Sequence, residues 1–227
     1  RNLRMPVEIS RPMLANSKYT YGLVAQVLHW TTAALILTLI PLGVYMHELP
    51  VSSATEVAYK SWFYSVHKTV GITAFFIAII RVLWTIGQPH PKPLNAGRKL
   101  ETLAAQTVHW MLYAAIVLMP LTGWLHHSAA EGFAPIWWPF SQDLPLVPKS
   151  PQLADFFGLA HFLTAVLLGL SLALHIAGAI KHTVVDKDGT LSRMIPGNFV
   201  SSATNLKEPY FKRFPVFLAG IAILLLV

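Results

Sequence analysis

The sequence predicts an all-α integral membrane protein, built as a bundle of four transmembrane helices followed by a partial fifth transmembrane segment. Two observations predict this fold. Of the 227 residues, 54% are hydrophobic and only 12% are charged, whereas a soluble domain carries about 25% charged residues. The chain also contains four apolar stretches of about 25 residues, each long enough to cross the hydrocarbon core of a bilayer. The lack of cysteine excludes disulfides, iron–sulfur clusters and thiolate-bound metals.

The four predicted spans follow one another, and polar connections separate them. Their expected bounds are Tyr21–Met46, Trp62–Gly87, Leu103–His127 and Phe156–Lys181. A fifth apolar stretch starts near Phe214 and offers about 14 residues before Val227, too few to cross a bilayer. We therefore expect the natural chain to continue beyond Val227. The predicted organisation is a cytoplasmic tail (1–18), a membrane domain (19–197), and a cytoplasmic linker with the start of a fifth segment (198–227).

The lysines and arginines predict the orientation of these spans. Only Lys60, Lys68 and Lys149 lie in or beside the first and third connections, whereas the other 14 lie in the tail and around the second and fourth connections. Cytoplasmic loops carry an excess of basic residues, so the N-terminus is expected in the cytoplasm. The first and third connections then face the periplasm of a bacterial inner membrane. The net charge of +7 reports this orientation rather than nucleic-acid binding.

Four histidines lie at two matching depths in three of the spans. His161 and His175 are 14 residues apart, about 21 Å and nearly four whole turns, so both point the same way from span four. His67 lies about as deep as His161, and His29 about as deep as His175. Ionisable groups in a membrane need partners, and two imidazole pairs at two depths fit two b-type haems, each iron held by two histidines. His109 lies near the depth of His29 and competes with it as a ligand, or flanks a substrate site.

Small residues share helix faces with these histidines. Gly71 follows His67 by four residues, and Gly178 follows His175 by three. A missing side chain there would let a flat macrocycle approach, although small residues also serve to pack helix against helix. Gly158 lies three residues before His161, and we expect it to leave the same kind of space beside that histidine.

Haem propionates are anions and need cations nearby. Arg81 is the first candidate on the cytoplasmic side and Lys181 the second, whereas Lys68 and Lys60 are the candidates on the periplasmic side. The alternative for each is anchoring of a helix end at the membrane surface.

Six motifs between residues 19 and 197 carry a family resemblance. They are Leu28–Trp30, Val66–Gly71, Arg81 followed by Pro89, Pro91 and Pro93, His109 with Pro120–Trp124, His161 with His175, and Lys187–Pro196. In these motifs the chain resembles the bacterial cytochrome b561 family, a di-haem four-helix membrane fold related to the cytochrome b subunits of formate dehydrogenases and hydrogenases.

The resemblance implies a ligand set and redox partners. It implies His29 with His175 for the cytoplasmic-side haem and His67 with His161 for the periplasmic-side haem. It also implies ubiquinone or another quinone as one partner, and the family includes a superoxide:ubiquinone oxidoreductase. Because two imidazoles fill both axial positions, we expect outer-sphere electron transfer. Polar groups near the cytoplasmic haem, above all His109 and Trp110, with Arg81 and Lys181 also in reach, are the candidates for a quinone site.

Three functions stay open at this point. The first is a quinone-linked oxidoreductase that takes electrons from superoxide, and the second is a membrane cytochrome b subunit fed by a protein partner in a larger respiratory or dehydrogenase complex. The third is an ion or proton pathway lined by histidines. Five carboxylates against three lysines give the periplasmic face a net charge of −2, which does not favour an anionic donor. No nucleotide or flavin motif appears, so direct use of NADH is not expected.

Overall fold

A computed structural model describes residues 13–94, 97–132 and 134–196, and these residues form four long helices that run up and down. The helices are α1 (Leu23–Glu48), α2 (Ala54–Gly87), α3 (Lys99–Ala129) and α4 (Pro151–Lys181). All four are long and apolar enough to cross a membrane, and the described residues contain no strand. The predicted all-α bundle of four spans is therefore confirmed. The fifth segment, the linker before it and most of the N-terminal tail lie outside the described residues.

Helices α2, α3 and α4 all begin earlier than hydropathy predicts, and polar caps extend two of them, α2 and α4. Helix α2 starts about two turns before Trp62, at a capping box. There the Ser53 hydroxyl accepts a hydrogen bond from the Glu56 amide at 3.2 Å, and Glu56 Oε2 accepts one from the Ser53 amide at 3.1 Å. Helix α4 starts at Pro151, behind the N-cap Ser150. Proline suits this first position because its missing N–H would have no helical partner.

The two ends of the bundle differ in the segments that cover them. We call the end where α1 begins and α4 finishes the basic end, and the opposite end, covered by residues 130–132 and 134–150 (loop 3), the loop-3 end. At the basic end α4 passes into a π-helical turn, His182–Asp186, which stops at Lys187 in the left-handed conformation with φ 51°. A short 3₁₀ turn, Ser192–Met194, follows.

The segment after α4 folds back onto the start of α1. The fully buried Gln26 donates from Nε2 to the Arg193 carbonyl at 2.9 Å. Trp30 donates from Nε1 to the Met194 carbonyl at 2.6 Å. These bonds hold the 3₁₀ turn against the first two turns of α1.

Loop 3 is fastened to the opposite end by side chains of α2 and α3. Four hydrogen bonds do this: Lys68 Nζ to the Ala134 carbonyl (2.9 Å), the Trp137 amide to Thr69 Oγ1 (2.9 Å), Trp124 Nε1 to the Gln142 carbonyl (2.8 Å), and the Leu144 amide to Ser128 Oγ (2.9 Å). The loop therefore has one defined path across the bundle.

An apolar layer lies halfway along the bundle. It consists of Ala78 from α2, Ala115 and Ile116 from α3, and Leu168 from α4, all buried. In sequence Leu168 is seven residues from each of the two histidines of α4. The layer therefore separates the polar groups of the basic end from those of the loop-3 end.

Candidate functional site

Two histidine pairs lie on either side of the apolar layer. Toward the basic end, the ring centroids of His29 and His175 are 6.1 Å apart. Toward the loop-3 end, the centroids of His67 and His161 are 6.5 Å apart. Helix α4 supplies one histidine to each pair, as its 14-residue spacing predicts.

Both separations suit one iron between two imidazoles. A metal–imidazole bond is about 2 Å long and the ring centre lies about 1 Å farther on, so rings on opposite sides of one iron have centroids about 6 Å apart. His109 also reaches His175, but their centroids are 5.0 Å apart with the rings nearly perpendicular, an edge contact. The spacing thus favours His29 over His109 as the partner of His175.

A hydrogen bond and two glycines fix the positions of His67 and His161. His161 Nδ1 donates to the Met119 carbonyl at 2.8 Å, which leaves Nε2 free for a metal. A Cβ on Gly123 would lie 2.9 Å from His161 Cε1, and one on Gly43 would lie 3.2 Å from His67 Cε1. Glycine at these two positions lets each imidazole lie against the backbone of a neighbouring helix.

Open space accompanies the two pairs. A Cβ built on Gly71 or Gly178 would meet no atom within 4 Å in the described part of the chain, and the same holds for Gly169. The same absence of contacts is found at Gly87 and Gly97, so the space beside His67 and His175 stays a prediction. Gly158 differs, because a Cβ there would lie 3.3 Å from His126 Nδ1. That glycine accommodates a second histidine rather than open space.

Arg81 lies at the basic-end pair, as its depth suggests. Its Nη2 is 3.0 Å from His29 Nδ1, and its guanidinium stands 5.5 Å from the centre of the Tyr113 ring. A guanidinium can only donate, so His29 Nδ1 accepts in this arrangement. A histidine that binds iron through Nε2 carries its proton on Nδ1. Iron binding by His29 would therefore free Arg81 for another acceptor.

Lys181, the second expected cation, is already paired. Its ammonium contacts Glu101, and it lies 2.8 Å from Asp186 Oδ2, while Arg98 holds the other oxygen of that carboxylate at 2.8 Å. Asp186 is one of three residues, with His182 and Asp188, whose ligand atoms lie within 4.8 Å of one another. Two cations already share its carboxylate, so this cluster is an ion-pair network that needs no metal.

Asp188 stabilises the segment that follows this network. It accepts hydrogen bonds from His182 Nδ1 at 2.8 Å and from the Thr190 amide at 2.9 Å. Burial acts to raise the pKa of the Asp188 carboxyl, but the hydrogen bonds from Thr190 and His182 outweigh it and hold that pKa below its usual value.

The lysines of the loop-3 end fasten connections. Lys68 Nζ lies 3.1 Å from His127 Nδ1, in addition to its bond to loop 3. Lys60 donates to the carbonyls of His47 at 3.0 Å and Leu49 at 2.7 Å. Both lysines place positive charge at the loop-3 end, but both ammonium groups already have hydrogen-bond partners within the protein.

A cavity of about 230 Å³ opens at the basic end. It brings together the two residues expected at a quinone site, His109 and Trp110, whereas Arg81 and Lys181 do not line it. Tyr21, Tyr113 and Arg193 complete the wall nearest the histidines. Arg193 lies in the Lys187–Pro196 string that carries the family resemblance, and its charge alone predicts only the orientation of the chain in the membrane.

Four apolar helices with paired histidines at two depths fit a membrane cytochrome of the b type. The family model described as prokaryotic cytochrome b561 matches residues 20–197, and the chain belongs to this family. It is 30% identical to "Cytochrome b561 homolog 2" of Escherichia coli (strain K12) over 183 residues, 79% of this chain and 93% of that protein. It is 24% identical to "Probable superoxide oxidase CybB" of Yersinia pestis over 170 residues, 74% of this chain and 92% of that protein.

Membership of this family settles the general activity. The protein is a multi-pass inner-membrane cytochrome that carries out transmembrane electron transfer, and haem b is the cofactor that the family implies. The paired imidazoles, the open space at Gly71 and Gly178, and the close approach at Gly123 fit this cofactor.

Proposed function

We propose that this protein transfers electrons from a periplasmic donor to membrane quinone through two haems b. His67 and His161 would hold the haem nearer the periplasm, and His29 and His175 the haem nearer the cytoplasm. The observation that carries this proposal is the pair of centroid distances, 6.5 Å and 6.1 Å, on opposite sides of the apolar layer. In this proposal the basic end and the N-terminus face the cytoplasm, as the 14:3 distribution of basic residues favours.

The residues around each pair suit outer-sphere transfer. A haem b held by two imidazoles would supply a one-electron carrier that binds no substrate at iron. The Met119 carbonyl fixes the His161 ring in one tautomer and one orientation. Arg81, freed from His29 Nδ1, would bring a positive charge to the basic-end layer and favour the reduced, less positive state there.

Superoxide is the first candidate donor. The name of the Yersinia relative supports it, and a one-electron carrier near the surface needs only a small diffusing reductant. Each superoxide anion would lose one electron and leave as dioxygen, so two are needed to reduce one quinone, which also takes up two protons. Lys68, next in sequence to His67, is the cation best placed to attract the anion.

A protein donor is the second candidate, favoured by the surface of loop 3. Trp137, Phe140 and Leu146 are all exposed there, and the net charge of the periplasmic face is −2. Exposed apolar side chains and negative charge suit a docked protein donor better than an anion, with this chain as the cytochrome b subunit of a larger respiratory or dehydrogenase complex.

Quinone would bind in the cavity at the basic end. His109 Nδ1 donates to the Ala105 carbonyl at 2.6 Å, so its Nε2 is left as an acceptor. That nitrogen can take the hydroxyl hydrogen bond of a quinol, while Trp110 and Tyr113 supply aromatic surface for the ring. We therefore assign the quinone head group to this wall.

Single histidine variants test the ligand set. We expect His67→Ala and His161→Ala each to lose the same one of two haems, and His29→Ala and His175→Ala each to lose the other, in reduced-minus-oxidised spectra of purified protein. His109→Ala should keep both, as should His126→Ala, the matched control at the loop-3 end. If His109→Ala removes a whole haem while His29→Ala keeps two, the pairing is wrong. A wild-type protein without b-type haem would return the function to a histidine-lined ion pathway.

Reduction by superoxide tests the donor. The haem-replete protein should be reduced quickly by a superoxide-generating system, and the rate should fall with salt as the Debye length shrinks from about 30 Å at 0.01 M to about 10 Å at 0.1 M. Lys68→Met should weaken that salt dependence. A rate no faster than spontaneous dismutation at every ionic strength would leave the protein donor as the answer.

A further inference from the structure

Arg193 is buried, and only one of the two terminal nitrogens of its guanidinium has a hydrogen-bond acceptor in the described residues. Its side chain is 7% exposed, and Nη1 donates to the Lys92 carbonyl at 2.9 Å. Its Nη2 is buried and has no hydrogen-bond acceptor in the part of the chain that the structure describes. A buried guanidinium left without acceptors is costly, so such a group normally faces an anion.

The nearby carboxylates are occupied by other partners. Asp188 accepts from His182 and Thr190, and Asp186 is shared between Arg98 and Lys181. The unused Nη2 is therefore a donor available to a carboxylate from outside the protein chain, the acceptor whose geometry best matches a guanidinium.

The backbone of Arg193 lies next to the layer of the His29–His175 pair. The Arg193 carbonyl is bonded to Gln26, which lies three residues, about one helical turn, before His29. The next carbonyl, that of Met194, is bonded to Trp30, the neighbour of His29. Arg193 also lines the cavity with His109, whose ring touches that of His175. Arg193 thus stands one turn beyond the histidine pair, on the side of the basic end.

We infer that Arg193 binds a propionate carboxylate of the haem held by His29 and His175. This inference rests on the proposed function, since it needs a haem at that pair. It makes Arg193 a haem-positioning residue that also tunes the redox equilibrium, and it replaces Lys181, whose ammonium is already paired with Glu101 and Asp186, in that role.

Redox titration of the purified protein tests the inference. Arg193→Met leaves the propionate charge uncompensated, which stabilises the oxidised form of the haem relative to the reduced form. The reduction equilibrium constant of that haem should therefore fall about tenfold, which lowers the reduction potential of a one-electron couple by about 59 mV. The other haem should be unchanged. Arg98→Met is the matched control, because it removes the same charge at the same end from an exposed residue paired with Asp186. Arg193→Lys keeps the charge and should give a smaller shift.

A second measurement identifies the bound group. In redox-difference infrared spectra of protein carrying haem ¹³C-labelled in the propionate carboxyls, Arg193→Lys should shift the labelled bands and Arg98→Lys should not. Loss of one haem in Arg193→Met, with both retained in Arg193→Lys, also supports the inference. Unchanged potentials and unchanged labelled bands would overturn it, as would a changed affinity for a quinone analogue alone. Absence of a haem at the His29–His175 pair in the wild type would instead overturn the proposed function.

Discussion

Adding one methyl group at Gly123 should loosen the haem proposed for the loop-3 end and leave the other proposed haem in place. The added Cβ would lie 2.9 Å from His161 Cε1 and 3.0 Å from its Nδ1, whereas ordinary contacts are 3.4–4 Å. The imidazole would have to retreat by about 0.5 Å, while metal–ligand distances tolerate only about 0.2 Å. Retreat also strains the 2.8 Å hydrogen bond to the Met119 carbonyl.

The size of the effect follows from overpacking. Extra methylene groups in a well-packed site cost about 1–3 kcal/mol, and every 1.4 kcal/mol is about tenfold in affinity. Gly123→Ala should therefore raise the dissociation constant of that haem about fivefold to 150-fold. Gly43→Ala, whose Cβ would lie 3.2 Å from His67 Cε1, should act on the same haem more weakly.

Haem transfer to an excess of apomyoglobin measures this change. The faster of two haem-loss phases should accelerate in Gly123→Ala, and the reduced-minus-oxidised spectrum should show which haem departs. Gly87→Ala is the matched control, because a Cβ at that position would meet nothing within 4 Å in the described residues. Equal loss rates for Gly123→Ala and Gly87→Ala would refute the assignment of His161 as a ligand packed against Gly123.

Three further predictions concern the two ends of the bundle. His109→Phe should slow haem oxidation by a soluble quinone analogue at least tenfold while both haems stay bound, and an unchanged rate would move the quinone site elsewhere. Lys68→Met removes the donor to the Ala134 carbonyl, so a protease should cleave loop 3 of this variant in intact liposomes faster than loop 3 of Lys60→Met, whose lost ammonium contacts His47 and Leu49 instead. Equal cleavage of the two variants would contradict the fastening role. Asp188→Asn should lower the unfolding temperature at pH 7. Because the pKa of Asp188 is held below its usual value, its stabilisation is present above about pH 4 and is lost as the pH falls through the lowered pKa. The difference between wild type and variant should therefore shrink below pH 4, and a difference that is constant with pH would exclude the charge as its source.

The four spans could be predicted from the sequence because a helix that crosses a bilayer needs one property, an apolar stretch of about 20 residues. The helix limits outside the bilayer depend on something else. The start of α2 is set by the reciprocal hydrogen bonds of Ser53 and Glu56. Because both residues are polar, a hydropathy profile does not include them in the span. The histidine pairs could be proposed because helical rise converts sequence spacing into depth, and the structure brings together both pairs that depth suggested.

The partners of the basic residues could not be predicted in the same way. Lys181 forms ion pairs with Glu101 and Asp186. Glu101 is 80 residues away in sequence, so that pairing depends on how α3 and α4 pack together. Arg193 lies in a polar string after α4, where nothing in the local pattern distinguishes a buried arginine from an anchoring one. The 2.9 Å bond between Gln26 and the Arg193 carbonyl, across 167 residues, ties this segment to α1, and no local pattern predicts a contact at that separation.

The apolar layer of Ala78, Ala115, Ile116 and Leu168 has an electrical consequence. Buried side chains of this kind offer no path for protons, so in the proposed transfer an electron that crosses from one histidine pair to the other moves as an uncompensated charge. The pairs are separated by about 21 Å along α4, roughly two thirds of a hydrocarbon core about 30 Å thick. At about 2.3 kcal/mol per charge per 100 mV for the full membrane, each crossing is coupled to the potential by about 1.5 kcal/mol per 100 mV. Electron flow toward a negative cytoplasm would then slow as the membrane becomes energised, which makes turnover sensitive to voltage as well as to the supply of donor and quinone.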